Sequence, residues 1–257
     1  MGRIAWRSIA SLAIASTVGC DGQPGGPDLP PPGSVQPLPP EYACYVAPPP
    51  AMPARVGFET VVLAPDTKPT LLLSGVAVSI LDTTRPDTPL GTVRTDDYGR
   101  AALQFSTEGV EQRPYALAAR YTAGHGHLPT YRYFGFPVDA RVRFGVGLYD
   151  LVAIDDAYSL GQVSRQLGKG TLIIRVDSCT SAQAVGAVLH ITPAPQMTAD
   201  NNELLKIDPQ TRATTGAVAY NIDPGPVEIT IDVGGTPILD LHLTIQPDAI
   251  TILSTLN

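Results

Sequence analysis

The feature that most constrains the fold is a succession of short apolar runs with period-two alternation, which begins after Met52. The alternation is clearest where polar residues, which we expect to face water, separate Leu239, Leu241, Leu243 and Ile245. Turn-forming residues divide the runs, and this pattern is typical of an all-β protein. Only Ala157–Leu167 is a weak candidate for a helix. The pattern therefore predicts an all-β fold.

The runs fall into two sets, each of a size normal for a small β-sandwich. The first set contains Val56–Leu63, Val76–Leu81, Ala101–Phe105, Tyr115–Tyr121, Tyr131–Val138 and Arg141–Ile154. The second set contains Gly170–Val176, Gly186–Ile191, Gly216–Ile222, Val227–Val233, Ile238–Ile245 and Ala249–Leu256. We therefore predict two tandem β-sandwiches, over residues 55–156 and 170–257.

Each predicted sandwich contains a strand that begins with glycine, a tight turn closed by glycine, and a strand after a Pro/Gly corner. Thr95–Phe105, with a Thr-x-x-x-Gly-x-(small) turn, and Ala213–Val233 resemble the carboxypeptidase regulatory-like, or transthyretin-like, domain of bacterial surface proteins. The resemblance implies that the two predicted domains are seven-stranded, transthyretin- or immunoglobulin-like β-sandwiches. It also implies that they serve as a stalk, spacer or adhesive module without enzymatic activity. An insert at residues 192–210 departs from the compact pattern, so the strand order there stays open.

Residues 1–19 have the layout of a secretory signal peptide. Arg3 and Arg7 provide a positive start, and Ser8–Val18 forms an apolar segment. A helix of this length rises only about 16 Å. This is too short to cross a hydrocarbon core of roughly 30 Å. We therefore expect export and cleavage rather than a transmembrane helix.

The signal peptide ends in Thr17-Val18-Gly19-Cys20, which resembles the lipobox of bacterial lipoproteins. The resemblance implies that Cys20 becomes the acylated first residue and anchors the chain in the lipid bilayer. Acyl chains contribute about 0.8 kcal/mol per buried methylene, so several chains hold a protein on a membrane durably. Thr17 stands where Leu, Val or Ile is usual, and ordinary secretory cleavage with an incidental Cys20 stays open. We expect a lipid-anchored protein of the bacterial cell envelope, in the outer membrane. Whether it lies on the periplasmic or the external face stays open.

A proline-rich tether occupies residues 20–54, and 12 of the 26 prolines lie between Gly22 and Pro53. Successive prolines favour the extended polyproline II conformation, so the tether acts as a spacer. If Cys20 is lipidated, Cys44 and Cys179 are left as an even pair in an exported chain. We predict a Cys44–Cys179 disulfide that pins the end of the tether to the second sandwich. Two unpaired thiols are the open alternative, and two cysteines alone make a poor metal site.

The charge balance excludes nucleic acid and other polyphosphates as partners, because the formal net charge is −7. Removal of the signal peptide would make the charge −9. The sequence contains no Gly-x-Ser-x-Gly elbow, no His-Glu-x-x-His and no phosphate-binding loop. We therefore expect neither catalytic activity nor a cofactor. The preferred hypothesis is a structural or interaction module in the envelope, with an envelope protein or a glycan as its partner.

Two local patterns are candidate sites. His125 and His127 form a His-x-His pair that suits a metal ion, although flanking glycines also suit an exposed loop. The aromatic segment from Tyr121 to Phe136 contains Tyr121, Tyr131 and Tyr133. These tyrosines form a stacking platform for carbohydrate or peptide in the alternative hypothesis, whereas a core role is the simpler interpretation.

Overall fold

A computed structural model describes residues 38, 40–46, 50–65, 67, 70–124, 126–135, 138–160, 162–177, 179, 187–195, 197–200, 216–233 and 236–255. All of them belong to one compact unit, Val35–Asn257. The predicted signal peptide and Cys20 lie outside the described residues.

Most of the regular secondary structure in the described part of the chain is β-strand, so the all-β prediction is confirmed. Its helical elements are a 3-10 turn at Pro40–Tyr42, α1 at Ala43–Val46 and α2 at Leu151–Leu160. The strands of the first half are β1 (Arg55–Ala64), β2 (Leu71–Leu72), β3 (Ala77–Asp82), β4 (Gly91–Arg94), β5 (Arg100–Ser106), β6 (Leu117–Thr122), β7 (Thr130–Tyr133) and β8 (Arg141–Gly147). The second half contains β9 (Gly170–Arg175), β10 (Ala187–Thr192), β11 (Met197–Asp200), β12 (Gly216–Ile222), β13 (Gly225–Val233), β14 (Thr236–Ile245) and β15 (Ile250–Ser254).

These strands form three sheets. The central sheet has eight strands in the order β11-β12-β9-β15-β7-β6-β3-β4. In the first flanking sheet, β1 is antiparallel to β5 and β2 and parallel to β8. The second flanking sheet is antiparallel, in the order β10-β13-β14.

The two flanking sheets pack against opposite faces of the central sheet. In β6, Ala119 lies in the apolar core shared with the first flanking sheet, whereas the adjacent Ala118 lies in the core shared with the second. Tyr133 and Phe134 divide between the same two cores. This follows from the strand geometry, because successive side chains point to opposite faces of a sheet.

The arrangement of strands differs from two independent sandwiches in one respect. Strand β15, from the second predicted sandwich, pairs in parallel with β7 from the first and with β9 from its own. Residues 55–156 and 170–257 therefore contribute strands to a common sheet. Local alternation does not encode this pairing, because it depends on the register between residues far apart in sequence.

The last run of the first set was predicted as one strand, Arg141–Ile154, and this is wrong beyond Gly147. The helix α2 begins at Leu151, whereas the weak helix prediction placed it at Ala157–Leu167. The Asp150 carboxylate accepts a hydrogen bond from the Ala153 amide at 2.8 Å and so caps the first turn. Ile154 and Tyr158, one helical turn apart, pack on the central sheet beside Tyr220 and Ile250.

The turn between β4 and β5 has the predicted chemistry. The Asp96 carboxylate accepts the Tyr98 and Arg100 amides at 2.9 and 2.8 Å. Gly99 has a φ of +65°, and a Cβ there would lie 2.5 Å from the Val62 carbonyl oxygen. Glycine is therefore required at this position by both conformation and space.

Candidate functional site

The first site is the junction formed by residues 40–46, which were predicted as part of the extended tether 20–54. This part of the prediction is wrong, because the segment is helical and Tyr42 packs in the hydrophobic core. Cys44, in α1, forms a disulfide with Cys179, which follows β9, and their Cα atoms are 5.7 Å apart. The predicted pairing is confirmed. The Cys179 amide also donates a hydrogen bond to the Glu41 carbonyl at 2.7 Å, so the backbone contributes to the same junction.

Tyr45 connects the junction to the last described strand. Its hydroxyl donates to the Thr255 hydroxyl at 2.6 Å and also contacts the Asp177 carbonyl. The Tyr115 hydroxyl donates to the Thr255 carbonyl at 3.0 Å, so two tyrosines converge on the residue after β15. Burial raises the pKa of Tyr45 to about 12, with a further increase from the Asp177 charge and a partial offset from the Thr255 hydrogen bond. Both hydroxyls are therefore protonated at neutral pH and act as donors.

The ring of Tyr42 makes the junction part of the hydrophobic core. Tyr42 is buried in the core of the second flanking sheet together with Tyr115 and Val176. Its ring centroid lies 6.4 Å from that of Tyr45. The segment 40–46 is thus held by apolar burial, hydrogen bonds and one covalent bond. The sequence signal for this arrangement is residues 41–47, a stretch without proline inside the proline-rich segment.

The predicted tyrosine platform is wrong in two of its three members. Tyr121 is 0% exposed and shares a 3.2 Å hydrogen bond with the Thr60 hydroxyl. Tyr133 is 5% exposed, and its hydroxyl accepts the Thr244 amide at 3.1 Å. Only Tyr131 is partly accessible. Tyr121 lies in the core shared with the first flanking sheet, whereas Tyr133 lies in the core shared with the second, so the three rings do not form one surface.

Tyr133 has a different role, because its hydroxyl covers an open strand edge. Strand β14 lies at the edge of its sheet, and Thr244 is opposite Pro226, which lacks an amide hydrogen. The Thr244 amide and carbonyl therefore point away from β13, towards the Tyr133 hydroxyl. Capping of these backbone groups protects the edge from pairing with another chain.

Arg132, the preceding residue of β7, covers the edge of the other flanking sheet and was missed by the sequence analysis. Its guanidinium lies 4.2 Å from the ring centroid of Phe144 and donates to the Gly145 carbonyl at 3.2 Å. Burial lowers the pKa of Arg132, and the cation–π contact partly compensates for the lost hydration. Neighbouring residues of one central strand thus cap both flanking sheets.

The histidine pair gives no metal centre in the described part of the chain. His125 lies outside the described residues, and the His127 Nδ1 lies 3.4 Å from the Gly124 carbonyl. Among the described residues, no group of three or more His, Cys, Asp or Glu side chains is placed to hold a metal ion. The described helices also include none that is long and apolar enough to cross a membrane.

Comparison with known proteins gives only distant structural similarity. No protein-family model matches the chain, and no curated protein matches it. The Bacillus anthracis TIE protein is 12% identical with a TM-score of 0.29, and the match covers 78% of this chain and 33% of that one. The chain thus spans about a third of the length of that protein.

Two pilins are similar at the same level. The shaft pilin SpaA of Lactobacillus rhamnosus GG is 10% identical with a TM-score of 0.26, and the match covers 77% of this chain and 96% of the pilin. A minor pilin of Streptococcus agalactiae is 8% identical with a TM-score of 0.21, and the match covers 77% and 94%. Similarity of this size assigns no function to the chain, and the resemblance to the carboxypeptidase regulatory-like domain stays a prediction.

Proposed function

We propose that this chain is an exported lipoprotein of the bacterial envelope whose β-sheet body is a non-catalytic structural or interaction module. The observation that carries the proposal is the Cys44–Cys179 disulfide. Disulfides persist in exported proteins and are rare in the reducing cytosol. The lipobox-like Thr17-Val18-Gly19-Cys20 and the proline-rich tether add a means of attachment and a spacer. The bilayer is the first partner, through acylated Cys20, and the outer membrane is the expected location.

The position of the junction suits a protein that bears load through its N-terminal tether. The disulfide connects α1 to the end of β9, and the Tyr45 hydroxyl connects it to the end of β15. Both strands are interior to the central sheet, because β9 pairs with β12 and β15, and β15 pairs with β9 and β7. Tension on the tether would therefore reach strands that are hydrogen-bonded on both sides instead of peeling an edge strand.

The described groups with shifted pKa values have structural partners, which supports a non-catalytic role. Burial raises the pKa of Asp82, but hydrogen bonds from Thr84 and the ion pair with Arg85 outweigh it, so the pKa lies below its usual value. Burial likewise raises the pKa of Tyr115 and Tyr133, whose hydroxyls bond to backbone groups. Perturbed groups of this kind hold the fold together.

The anchor is tested by detergent phase partitioning of the full chain from bacterial membranes. We expect the wild-type chain in the detergent phase and the Cys20→Ser chain in the aqueous phase, because the variant has no thiol to acylate. The matched control is Cys44→Ser with Cys179→Ser, which should stay in the detergent phase. Equal partitioning of the wild-type and Cys20→Ser chains would overturn the lipoprotein assignment.

A further inference from the structure

The outward face of the first flanking sheet contains residues with little or no side chain among its charged and polar residues. Gly57, on β1, lies between Gln104 and Arg141 in register, and the central row places Glu59 between Ala102 and Arg143. In the next row of the same face, Gly145 is an outward-facing residue of β8. Glycine within a strand weakens it and often marks a place where a ligand approaches closely.

Neither of these two glycines is required by the fold. A Cβ added at Gly145 would meet no atom within 4 Å. One added at Gly57 would make only an ordinary contact, 3.7 Å from the Ala140 carbonyl oxygen. Neither residue has the positive φ that demands glycine. The absence of side chains here therefore leaves open space on the outside of the sheet.

That space forms two shallow clefts that follow β1. One has a volume of about 600 Å³ and is lined by Glu59, Arg100, Arg143 and Gly145. The other has a volume of about 460 Å³ and is lined by Arg55, Gly57, Gln104 and Arg141. Both clefts include Glu59 and Ala102, so they are continuous. We call this surface, between Arg55 and Val61 along β1, the basic trough.

The charge of the trough is opposite to that of the whole chain. Four arginines line it, at positions 55, 100, 141 and 143, against two carboxylates, Glu59 and Asp96, in a chain whose formal net charge is −7. Glu59 lies 2.8 Å from Arg143 and 3.6 Å from Arg141. The side chains of Arg141 and Arg143 remain 67% and 64% exposed, so their remaining donors are accessible. Guanidinium groups in this setting favour carboxylates, which they bind in a bidentate manner.

An exposed aromatic ring lies in the turn at one end of the trough. Tyr98, between the trough-lining residues Asp96 and Arg100, is 68% exposed. Its own amide is held by the Asp96 carboxylate at 2.9 Å, so the turn that carries the ring is fixed. A tyrosine ring of this kind combines an apolar face with a polar end.

We propose that the basic trough binds a carboxylate-bearing polysaccharide. The backbone of β1 is paired with β5 on one side and with β8 on the other, so the trough floor offers no free ladder to an extended polypeptide. Its donors belong instead to arginine and glutamine side chains, which suit the carboxylates and hydroxyls of an acidic glycan. This inference rests on the proposed function, because the acidic glycan would be the partner of the proposed interaction module.

The experiment measures binding of polygalacturonate to the purified full-length protein, with neutral dextran and polyglutamate as comparison polymers. We expect polygalacturonate to bind in a salt-dependent manner, dextran not to bind, and polyglutamate to bind less tightly at equal charge. Gly145→Val should lower the affinity by about tenfold or more, because the added side chain fills the trough without disturbing the sheet. Its control is Thr122→Val, on an exposed position of β6.

A charge variant keeps the test informative if Gly145→Val does not fold. Arg143→Gln should reduce binding about tenfold, whereas Arg94→Gln, an exposed arginine of β4 outside the trough, should leave it unchanged. Polyglutamate binding as tight as that of polygalacturonate would overturn the glycan in favour of an acidic polypeptide. Wild-type binding by both trough variants, or no binding of polygalacturonate at all, would overturn the trough. Neither readout depends on Cys20, so each is separate from failure of the lipid anchor.

Discussion

The two layers that cover the central sheet are stabilised by different chemistry. The first flanking sheet packs through four phenylalanines, at positions 58, 105, 134 and 144, whose rings contact one another. The second packs through aliphatic side chains and three tyrosines, at positions 42, 115 and 133. The Tyr115 and Tyr133 hydroxyls bond to backbone groups, and a disulfide lies beside this core. Both layers also contain polar links, such as Tyr121–Thr60 in the first, so the clearest difference is the phenylalanine cluster on one side and the covalent link on the other.

The largest effect should come from removal of the ring at the centre of the first layer. Phe134 is stacked on Phe58 at 5.7 Å and meets Phe144 edge to face at 5.3 Å. Phe134→Ala should lower the free energy of unfolding by about 4 kcal/mol, since it removes buried area and leaves a cavity. Urea unfolding measures the loss, with Phe134→Leu as a milder control. A loss below about 1 kcal/mol would contradict the central role of this ring in the first layer.

The next largest effect should be confined to the second layer. Cys44→Ser combined with Cys179→Ser should lower the free energy of unfolding by about 3 kcal/mol, because the disulfide closes a long loop in the unfolded chain. Limited proteolysis should then cut near Tyr45 and leave the strands of the first layer intact. If cleavage appears first in β1 or β5, the junction does not act on the second layer alone.

A smaller effect separates the two tyrosines of β7. Tyr133→Phe should cost about 1 kcal/mol, because the Thr244 amide loses its partner at the edge of β14. Tyr131→Phe, two residues away on the same face, should change stability by less than about 0.5 kcal/mol. Equal losses for the two variants would argue against edge capping by Tyr133.

The smallest effect should come from Tyr45, which accounts for part of the loss of stability at alkaline pH. The pKa of Tyr45 is raised to about 12 by burial, so the folded state holds this proton more tightly than the unfolded state. The stabilisation is complete below the unfolded pKa of about 10 and is lost as the pH rises from there to the folded pKa. Tyr45→Phe should therefore unfold with a shallower pH dependence above pH 10 than wild type in urea titrations. Parallel pH profiles would mean that burial of this hydroxyl does not contribute.

The strands were predictable because alternation is a local property. The interval Gly216–Ile222 was predicted with its observed bounds, and Val56–Leu63 differs from β1 by one residue at each end. The predicted outward positions of Asp240, His242 and Thr244 are confirmed. The short strands β2, β4 and β11 were missed, since two to four residues are too few to show a period.

The sites were less predictable, for reasons that differ between residues. The Cys44–Cys179 pairing followed from assigning Cys20 to the lipobox-like segment, which left an even pair. The α2 helix had a usable signal in Asp150, an N-cap residue before an apolar segment. No local signal could show that Tyr121 and Tyr133 are buried, because each strand has two faces and alternation does not say what covers them.

The sequence by itself determined most of the longer strands, the turn at Gly99 and the acidic balance, since these depend on neighbouring residues or on composition. It predicted the cysteine pair, and the structure confirmed it. Only the tertiary structure decided that β7 joins β15, that both faces of the central sheet are covered, and that Gly57 and Gly145 open onto one arginine-lined trough. The physical reason is that sheet order and burial are set by pairing and packing between distant residues. Period-two alternation specifies the two faces of each strand. Which strands pair and which faces become buried depend on contacts between residues far apart in sequence.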